Sequence, residues 1–463
     1  MQAWLVWTLA VAVIAPSAAT PALEGVWSGT LEAGATRLRL VLHVAARPQG
    51  GYAARLDSLD QGATGLPVDE VTLRDRTLSL RMKSLGASYT GTLSDDGNAI
   101  AGQWIQGAAL PLTWKRGAPQ PLRRTQELKR PLPYREEEVS FQSTGAKLAG
   151  TLTLPKGQGP FPAVVLITGS GPQDRDETIA GHKPLLVLAD HLTRQGIVVL
   201  RYDDRGVGRS TGRFQAATTP DFADDARAGL AHLQSRPEVD RRRAGLVGHS
   251  EGALVAALVA SRSADVGFVV LLAGNGVTGE AILYEQGAQV ARASGLPAEV
   301  VAQQKAIQQA TFAILKGESD PALARKKLEE VLAPAVAQLP AEQRAAAMER
   351  QIDSALSPWL RAFLTYDPLP PLRAVKCPVL ALFGEKDLQV PPSQNAAPVE
   401  AALKEGGNAD HVVRVLPGLN HLFQTATTGL PSEYGAIEET MAPAALTAIS
   451  DWITQHAQAA PPR

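Results

Sequence analysis

The sequence contains a single cysteine, Cys377, among its 463 residues. A lone cysteine excludes an internal disulfide framework and a cysteine-based zinc site. Lys and Arg total 45 against 46 Asp and Glu, so the basic excess expected of a protein that binds nucleic acid or anionic membranes is absent. P-loop, dinucleotide and metal-ligand motifs are also missing. We therefore expect a globular protein with no cofactor, no metal ion and no nucleic-acid partner.

The N-terminus has the features of an export signal. Residues 4–15 are almost wholly apolar, and the small residues Ser17, Ala18 and Ala19 follow them. This run is shorter than the roughly 20 residues that a membrane-spanning helix needs, and no later segment is as long as that. A basic residue ahead of the run is missing, which leaves a buried first helix as the alternative. The sequence predicts a signal peptide over residues 1–19 and a periplasmic or secreted mature protein, with no membrane partner once the signal is removed.

Short alternating strands dominate the first part of the chain. Residues 37–44 and 77–82 alternate between apolar and polar side chains, and Gly and Asp residues punctuate the gaps. This pattern predicts a small antiparallel barrel or sandwich over residues 20–117. A proline-containing and charged stretch, residues 118–138, is typical of a linker.

The rest of the chain alternates between buried strands and helices. Continuous apolar strands separated by helical segments predict an α/β fold with a mostly parallel sheet wrapped by helices, formed by residues 139–274 and 369–463. Between these two parts, residues 275–368 are rich in Ala, Gln, Glu and Lys and indicate several helices. We call this segment the helical insertion. An insertion at the carboxyl end of a strand lies over the crevice of an open α/β sheet, so we expect it to act as a lid.

A candidate nucleophile lies at the end of one predicted strand. Gly248-His249-Ser250-Glu251-Gly252 follows an apolar strand and precedes a helix, which is the context that a G-x-S-x-G nucleophile elbow requires. Small residues two positions away on each side permit the sharp turn that exposes the serine hydroxyl. The sequence therefore predicts Ser250 as a catalytic nucleophile.

A serine nucleophile needs a base and a carboxylate that orients the base. On this type of fold the chain order is Ser, acid, His, and both partners follow strands. Asp387 and His421 meet these conditions as acid and base. Glu385 is the rival acid, and His411 is a rival base that enters its strand at the opposite end.

Two backbone N–H groups are expected to stabilise the oxyanion that forms during acyl transfer. One belongs to Glu251, the residue after the nucleophile. The other is expected from the segment Thr168–Pro172, which we call the oxyanion loop. Ser170 or Gly171 is the candidate donor, since Pro172 has no N–H.

Further motifs give the chain a family resemblance. Residues 119–456 resemble the α/β-hydrolase superfamily, and the bacterial exported carboxylesterase branch fits best. Asp203–Ser210 matches that superfamily's D-x-R-G-x-G-x-S loop, and Thr168–Asp176 is similar to the oxyanion loop of exported esterases with a β-rich N-terminal domain. Thr168 stands where His is commoner.

The resemblance implies a serine esterase that acts through an acyl-enzyme, with Ser250, Asp387 and His421 as its triad. A small-molecule ester with a short or medium acyl group is the expected substrate. The same triad could serve a serine aminopeptidase or prolyl peptidase, in which Glu280 or Glu285 of the helical insertion would anchor the substrate's amino group.

Aromatic residues at helical spacing end the helical insertion. Trp359, Phe363 and Tyr366 could line the acyl pocket, or they could pack in the core of their own helix. All three are therefore candidate pocket residues.

Overall fold

The computed structural model describes residues 23–33, 36–59, 63–106, 108–119, 124–337 and 341–458. The predicted signal peptide, residues 1–19, lies outside this set. The chain divides into two compact units: the first holds most of the described residues up to Pro119, and the second holds the described residues from 124 onward together with two short stretches of the earlier part of the chain. Of the helices described, none is both long and apolar enough to cross a membrane.

The first unit is a nine-stranded sheet whose order is β4-β3-β2-β1-β9-β8-β7-β6-β5. The neighbouring pairs from β5 to β9, and β1 with β9, are antiparallel. Trp27, Tyr89 and Trp114 are fully buried on its core face. The predicted antiparallel β domain is confirmed. Its strands are β1 Gly25–Ala33, β2 Thr36–Ala46, β3 Tyr52–Ser58, β4 Ala63–Val68, β5 Glu70–Arg74, β6 Thr77–Met82, β7 Ala87–Leu93, β8 Ala99–Gln106 and β9 Ala108–Arg116.

The second unit is built on an eight-stranded sheet of order β10-β11-β13-β12-β14-β15-β16-β17. The pairs β10–β11 and β11–β13 are antiparallel, and the remaining pairs are parallel. This is the predicted mostly parallel α/β sheet. Its strands are β10 Arg135–Ser143, β11 Ala146–Leu154, β12 Phe161–Ile167, β13 Val198–Tyr202, β14 Val239–His249, β15 Val269–Leu272, β16 Val379–Gly384 and β17 His411–Leu416.

One boundary differs from the prediction. Residues 135–138, assigned to the linker on their charge, form the start of β10. An edge strand tolerates charged side chains because one of its sides has no neighbouring strand. Glu136 pairs with Arg130 at 2.8 Å, and Glu138 pairs with Arg175 at 3.0 Å.

Within the part of the chain that the structure describes, the helices that accompany this sheet are α1 Pro184–Arg194, α2 Thr219–Gln234, α3 Glu251–Arg262, α10 Pro392–Glu405 and α11 Pro443–Gln458. Every residue of β13, β15 and β16 is buried, as expected of strands covered on both faces. In the parallel register Ile167 pairs with Gly248, and Gly384 pairs with Leu416. The carboxyl ends of β12, β14, β16 and β17 therefore meet at one edge, where the loops that follow them gather.

In the described residues between β15 and β16, the helical insertion forms the helices α4 Gly279–Ala293, α5 Ala298–Gly317, α6 Pro321–Val336, α7 Ala341–Ala355, α8 Pro358–Thr365 and α9 Leu369–Ala374. Its helices share a small apolar core of their own that includes Phe312, Leu328, Ile352 and Leu364. Helix α9 lies wholly beyond residue 368, the predicted end of the helical insertion, so the insertion extends six residues further. Prolines at the first turn of α9 are compatible with a helix start.

Candidate active site

Ser250 occupies a strained turn between β14 and α3. Its backbone has φ +54° and ψ −118°, a conformation that non-glycine residues rarely adopt. A Cβ on Gly248 would lie 1.9 Å from the carbonyl oxygen of Gly252, and a Cβ on Gly252 would lie 2.4 Å from that of Ile167. Only glycine fits at both positions, which explains the G-x-S-x-G pattern in steric terms.

Asp387 and His421 form a buried hydrogen-bonded pair. Asp387 follows β16 and His421 follows β17, and His421 Nδ1 lies 2.8 Å from Asp387 Oδ2. Burial acts to raise the pKa of Asp387. The charge of His421 and its hydrogen bond to the carboxylate outweigh this effect and hold the pKa below its ordinary value. Because the carboxylate accepts from Nδ1–H, the lone pair of His421 is left on Nε2.

The backbone fixes the orientation of Asp387. Its second oxygen, Oδ1, accepts the N–H groups of Gln389 and Val390, each at 2.8 Å. The rival residues are engaged elsewhere. Glu385 accepts the N–H of Gly418 at 2.7 Å, and His411 Nδ1 lies 2.6 Å from the carbonyl of Asn408, at the start of β17.

Ser250 and His421 share one cavity of about 330 Å³. No hydrogen bond joins Ser250 Oγ to His421 in the part of the chain that the structure describes, and such bonds in ligand-free sites often form only around substrate. The cavity is lined by Gly169, Ser170, Gln173, Glu177, Ile179, Ala180, His249, Ser250, Gln389, His421, Leu422, Pro431 and Tyr434.

Two carboxylates hold the oxyanion loop. Glu177 Oε1 accepts the N–H of Gly169 at 2.7 Å, and Asp204 Oδ2 accepts that of Gln173 at 2.9 Å. The N–H groups of Ser170 and Gly171 have no acceptor among the described residues. Ser170 lines the Ser250 cavity, whereas Gly171 lines a separate small cavity. Of the two candidate donors, Ser170 is the one at the cavity.

Asp204 lies beneath the oxyanion loop. Burial raises the pKa of its carboxyl to about 8, and the nearby carboxylates of Glu177 and Glu251 act in the same direction. Its Oδ1 is 2.9 Å from the hydroxyl of Thr168. A protonated Asp204 can donate to that hydroxyl while its other oxygen still accepts from the backbone.

Sequence reasoning missed Glu177 and His249. Glu177 is 1% exposed and has a positive φ of +53°. Its Oε1 lies 2.8 Å from His249 Nδ1, and His249 Nε2 lies 2.9 Å from the carbonyl oxygen of His421. The run Asp174-Arg175-Asp176-Glu177 was a visible signal, but nothing in it distinguishes the fully buried carboxylate from its partly buried neighbours.

The three aromatic residues assigned to the acyl pocket are not among the residues that line the Ser250 cavity. Trp359 Nε1 instead donates to both carboxylate oxygens of Glu251, at 2.9 Å each. Phe363 is buried and stacks on Trp359 with ring centroids 4.9 Å apart. Tyr366 lines a different, narrow cavity with Ala253 and Phe383. These contacts favour the alternative, in which helical spacing identifies a packed face, and the assignment of the three aromatic residues to the acyl pocket stays a prediction.

The two glutamates considered as amine anchors also lie away from this cavity. Glu280 accepts from Lys316 Nζ at 2.6 Å and from the hydroxyl of Tyr284 at 2.8 Å. Glu285 accepts from Gln289 at 2.7 Å and lies 3.8 Å from Arg292. Neither is among the residues that line the Ser250 cavity. Over the described ranges, no group of three or more His, Cys, Asp or Glu side chains could hold a metal ion.

The chain has the fold of an α/β-hydrolase with an N-terminal antiparallel β domain. The model of the family described as serine aminopeptidase, S33, matches residues 185–425, just over half of the chain. The protein therefore belongs to that family of α/β-hydrolases.

Among curated proteins, esterase EstD of Thermotoga maritima is 36% identical over 141 residues, which are 30% of this chain and 33% of the relative. The match thus spans only about a third of that relative's length. Similar solved structures include that of the Pyrococcus furiosus esterase Pf2001, which has 16% sequence identity and a TM-score of 0.41. The match covers 70% of this chain and 93% of that one. The proline iminopeptidase of Mycobacterium smegmatis gives 16% identity and a TM-score of 0.43, covering 70% and 100%.

Proposed function

We propose that the protein is a serine esterase that hydrolyses carboxylic esters through an acyl-enzyme. The observation that carries this proposal is the shared cavity of Ser250 and His421, together with the 2.8 Å bond from His421 Nδ1 to Asp387. In the proposed reaction His421 Nε2 takes the Ser250 proton as the oxygen attacks the ester carbonyl. The same proton then passes to the departing alcohol.

The oxyanion is proposed to bind the backbone N–H groups of Glu251 and Ser170. Glu251 is the first residue of α3, so its N–H has no partner within the helix. Ser170 is preferred to Gly171 because it lines the Ser250 cavity. Water then attacks the acyl-enzyme with His421 again as base, which releases the acid and restores Ser250.

Ester rather than peptide chemistry is supported by two observations. Glu280 and Glu285, which could anchor a substrate amine, are paired with other residues of the helical insertion. The curated relative is an esterase, although the family description names an aminopeptidase. A cavity of about 330 Å³ suits a short or medium acyl ester.

Active-site labelling tests the nucleophile. An organophosphate is expected to add one adduct per chain, which peptide mapping locates on Ser250, and Ser250→Ala is expected to lose both the adduct and nearly all turnover. Ser261→Ala, in the same helix, is the matched control and keeps both. A folded Ser250→Ala protein with wild-type turnover would overturn the proposal.

A paired assay separates the two hydrolase classes. Purified protein is given a p-nitrophenyl acyl ester series and aminoacyl p-nitroanilides. Ester turnover without anilide turnover is the expected result. A higher kcat/KM on the anilides would instead assign the protein to the peptidases.

We also propose that the protein is exported after cleavage near Ala19. Fractionation of the native host and N-terminal sequencing of the mature chain test this proposal. A protein that retains Met1 in the cytoplasm contradicts it.

A further inference from the structure

His249 lies between a backbone carbonyl oxygen, which can only accept hydrogen bonds, and the carboxyl group of Glu177. Its Nε2 is 2.9 Å from the carbonyl oxygen of His421, so this nitrogen must carry a proton. Its Nδ1 is 2.8 Å from Glu177 Oε1. One more proton therefore lies between Nδ1 and the carboxyl group, on one atom or the other.

The second contact of Glu177 decides which atom holds that proton. Oε1 also accepts the N–H of Gly169 at 2.7 Å, so this oxygen receives two donors. Two converging donors favour an ionised oxygen, because charge-assisted bonds to a carboxylate are about twice as strong as neutral ones. His249 is then doubly protonated and positively charged.

We infer that Glu177 and His249 form a buried ion pair that positions the oxyanion loop and the backbone of His421 around Ser250. This inference rests on the proposed function only for its effect on turnover; the charge state of His249 is independent of catalysis. Both residues are positioning residues, since each acts through groups that would touch the substrate.

The ion pair connects the two sides of the site. On one side Glu177 holds Gly169, whose neighbour Ser170 is the proposed oxyanion donor. On the other side His249 holds the carbonyl of His421, the proposed base. Tight positioning matters because a displacement of about 1 Å at a reacting group can cost on the order of 10²-fold in rate.

The surroundings of His249 agree with a charged ring. It is fully buried, which disfavours charge, but the carboxylate of Glu177 and the hydrogen bonds to Glu177 and His421 raise its pKa above the ordinary value. Asp387 contributes in the same direction. The His421 ring lies 4.7 Å from the His249 ring between centroids, and the Phe423 ring lies 6.4 Å away.

Other buried carboxyls lie close to this pair. Asp204 and Glu251 both have pKa values raised by burial, so both tend toward the neutral form. Glu177 Oε2 is buried and has no hydrogen-bond partner within the described residues. The groups that contact Glu177 Oε1 among the described residues are the N–H of Gly169 and the ring of His249, and of these His249 can carry the positive charge that neutralises Glu177. Glu177 also has backbone strain of the kind found at functional sites.

The charge of His249 can be measured without turnover. The full-length Ser250→Ala protein, labelled with ¹³C,¹⁵N-histidine, has eight histidines, and the Ser250→Ala/His249→Gln protein identifies the His249 signal. Ring shifts at pH 7 are expected to show both nitrogens of His249 protonated. A neutral His249 ring at pH 7 would overturn the ion pair, whatever the protein's activity.

Kinetics test the positioning role. Glu177→Gln keeps the size and removes the charge, and kcat for an ester is expected to fall by about 10–100-fold with little change in KM. The alkaline limb of the kcat profile should also move to lower pH, because His249 loses its proton more easily without the carboxylate. Glu405→Gln, a surface glutamate paired with Arg373, is the matched control and should retain wild-type values.

Two substitutions at His249 separate its two links. Asn can mimic Nδ1 and keep the bond to Glu177, whereas Gln can mimic Nε2 and keep the bond to His421. We expect both to lower kcat. The double variant Glu177→Gln/His249→Gln should be less impaired than the product of the single effects, since no unpaired buried charge remains.

Wild-type kcat and pH profile in folded Glu177→Gln would overturn the positioning role and leave the esterase proposal intact. If Glu177→Gln does not fold, wild-type kcat in His249→Asn would overturn the positioning role in its place.

Discussion

The indole Nε1 of Trp359 donates to both carboxylate oxygens of Glu251, at 2.9 Å each. Helix α8 of the helical insertion therefore contacts the residue that directly follows Ser250. The hydroxyl of Thr219 donates to the same carboxylate at 2.6 Å. Burial raises the pKa of Glu251. The contact thus ties the helical insertion to the start of α3 through a group whose charge depends on pH.

Loss of this contact should destabilise the protein in a pH-dependent way. Trp359→Phe keeps a ring to stack on Phe363 but removes the donor, so the free energy of unfolding is expected to fall by about 1–3 kcal/mol. The loss should be larger at pH 8 than at pH 5, because the hydrogen bonds from Trp359 stabilise an ionised Glu251 more than a neutral one. Chemical denaturation at both pH values measures it, with Phe363→Leu as the control for packing alone. Equal losses at the two pH values would contradict the prediction.

Asp204 should make stability fall as pH rises. An unfolded aspartate releases its proton near pH 4, whereas the folded protein holds the Asp204 proton to about pH 8. Between these values the unfolded chain binds fewer protons, so the free energy of unfolding decreases by up to ~1.4 kcal/mol per pH unit from this group. Above about pH 8 its contribution is constant.

Asp204→Asn isolates that contribution. Asn is uncharged, like protonated Asp, and can keep polar contacts with the Thr168 hydroxyl and the N–H of Gln173, so little change is expected at pH 5. Relative to wild type, the variant should gain stability steadily up to about pH 8. Urea titrations across this range provide the measurement, and a constant difference between the proteins would count against a raised pKa.

The orienting role of Asp387 predicts a large kinetic effect. Asp387→Asn is expected to lower kcat on the order of 10⁴-fold, because an amide can stabilise the wrong tautomer of His421. Glu385→Gln should retain close to wild-type turnover, since Glu385 accepts from Gly418 instead. Steady-state ester hydrolysis by both folded variants gives the answer. The reverse order of effects would move the role to Glu385.

Substrate size should depend on the residues that line the cavity. Ile179→Ala enlarges the space beside Ser250, so the ester chain-length optimum is expected to move to longer acyl groups. Phe363→Leu should leave the optimum unchanged, because Phe363 packs on Trp359 outside the lining. A series of p-nitrophenyl esters from acetate to decanoate tests both. A shift caused by Phe363→Leu alone would support the prediction that Phe363 lines the acyl pocket.

The features of this protein that depend on a few neighbouring residues could be predicted from the sequence. The apolar runs of β12 to β16 identify strands buried on both faces, and alternating runs identify the antiparallel sheet of the first unit. Gly248 reports a steric limit that lies within five residues, because a Cβ there would meet the carbonyl oxygen of Gly252, whereas the limit at Gly252 is set by Ile167 on β12. The order of residues along the chain and their position after predicted strands then identified Asp387 and His421 as candidates, because the carboxyl ends of parallel strands lie at one edge of a sheet.

Contacts between distant parts of the chain were decided only by the tertiary structure. Glu177 and His249 are 72 positions apart, and Glu251 and Trp359 are 108 apart. Helical spacing places Trp359 and Phe363 on one face of α8, but it does not say whether that face meets substrate or protein. Burial is what turns Glu177 into the partner of a charged histidine and leaves Asp174, three residues earlier, hydrogen-bonded within its own exposed turn. Desolvation and pairing depend on what packs around a side chain, and those neighbours come from distant parts of the chain that the local sequence does not identify.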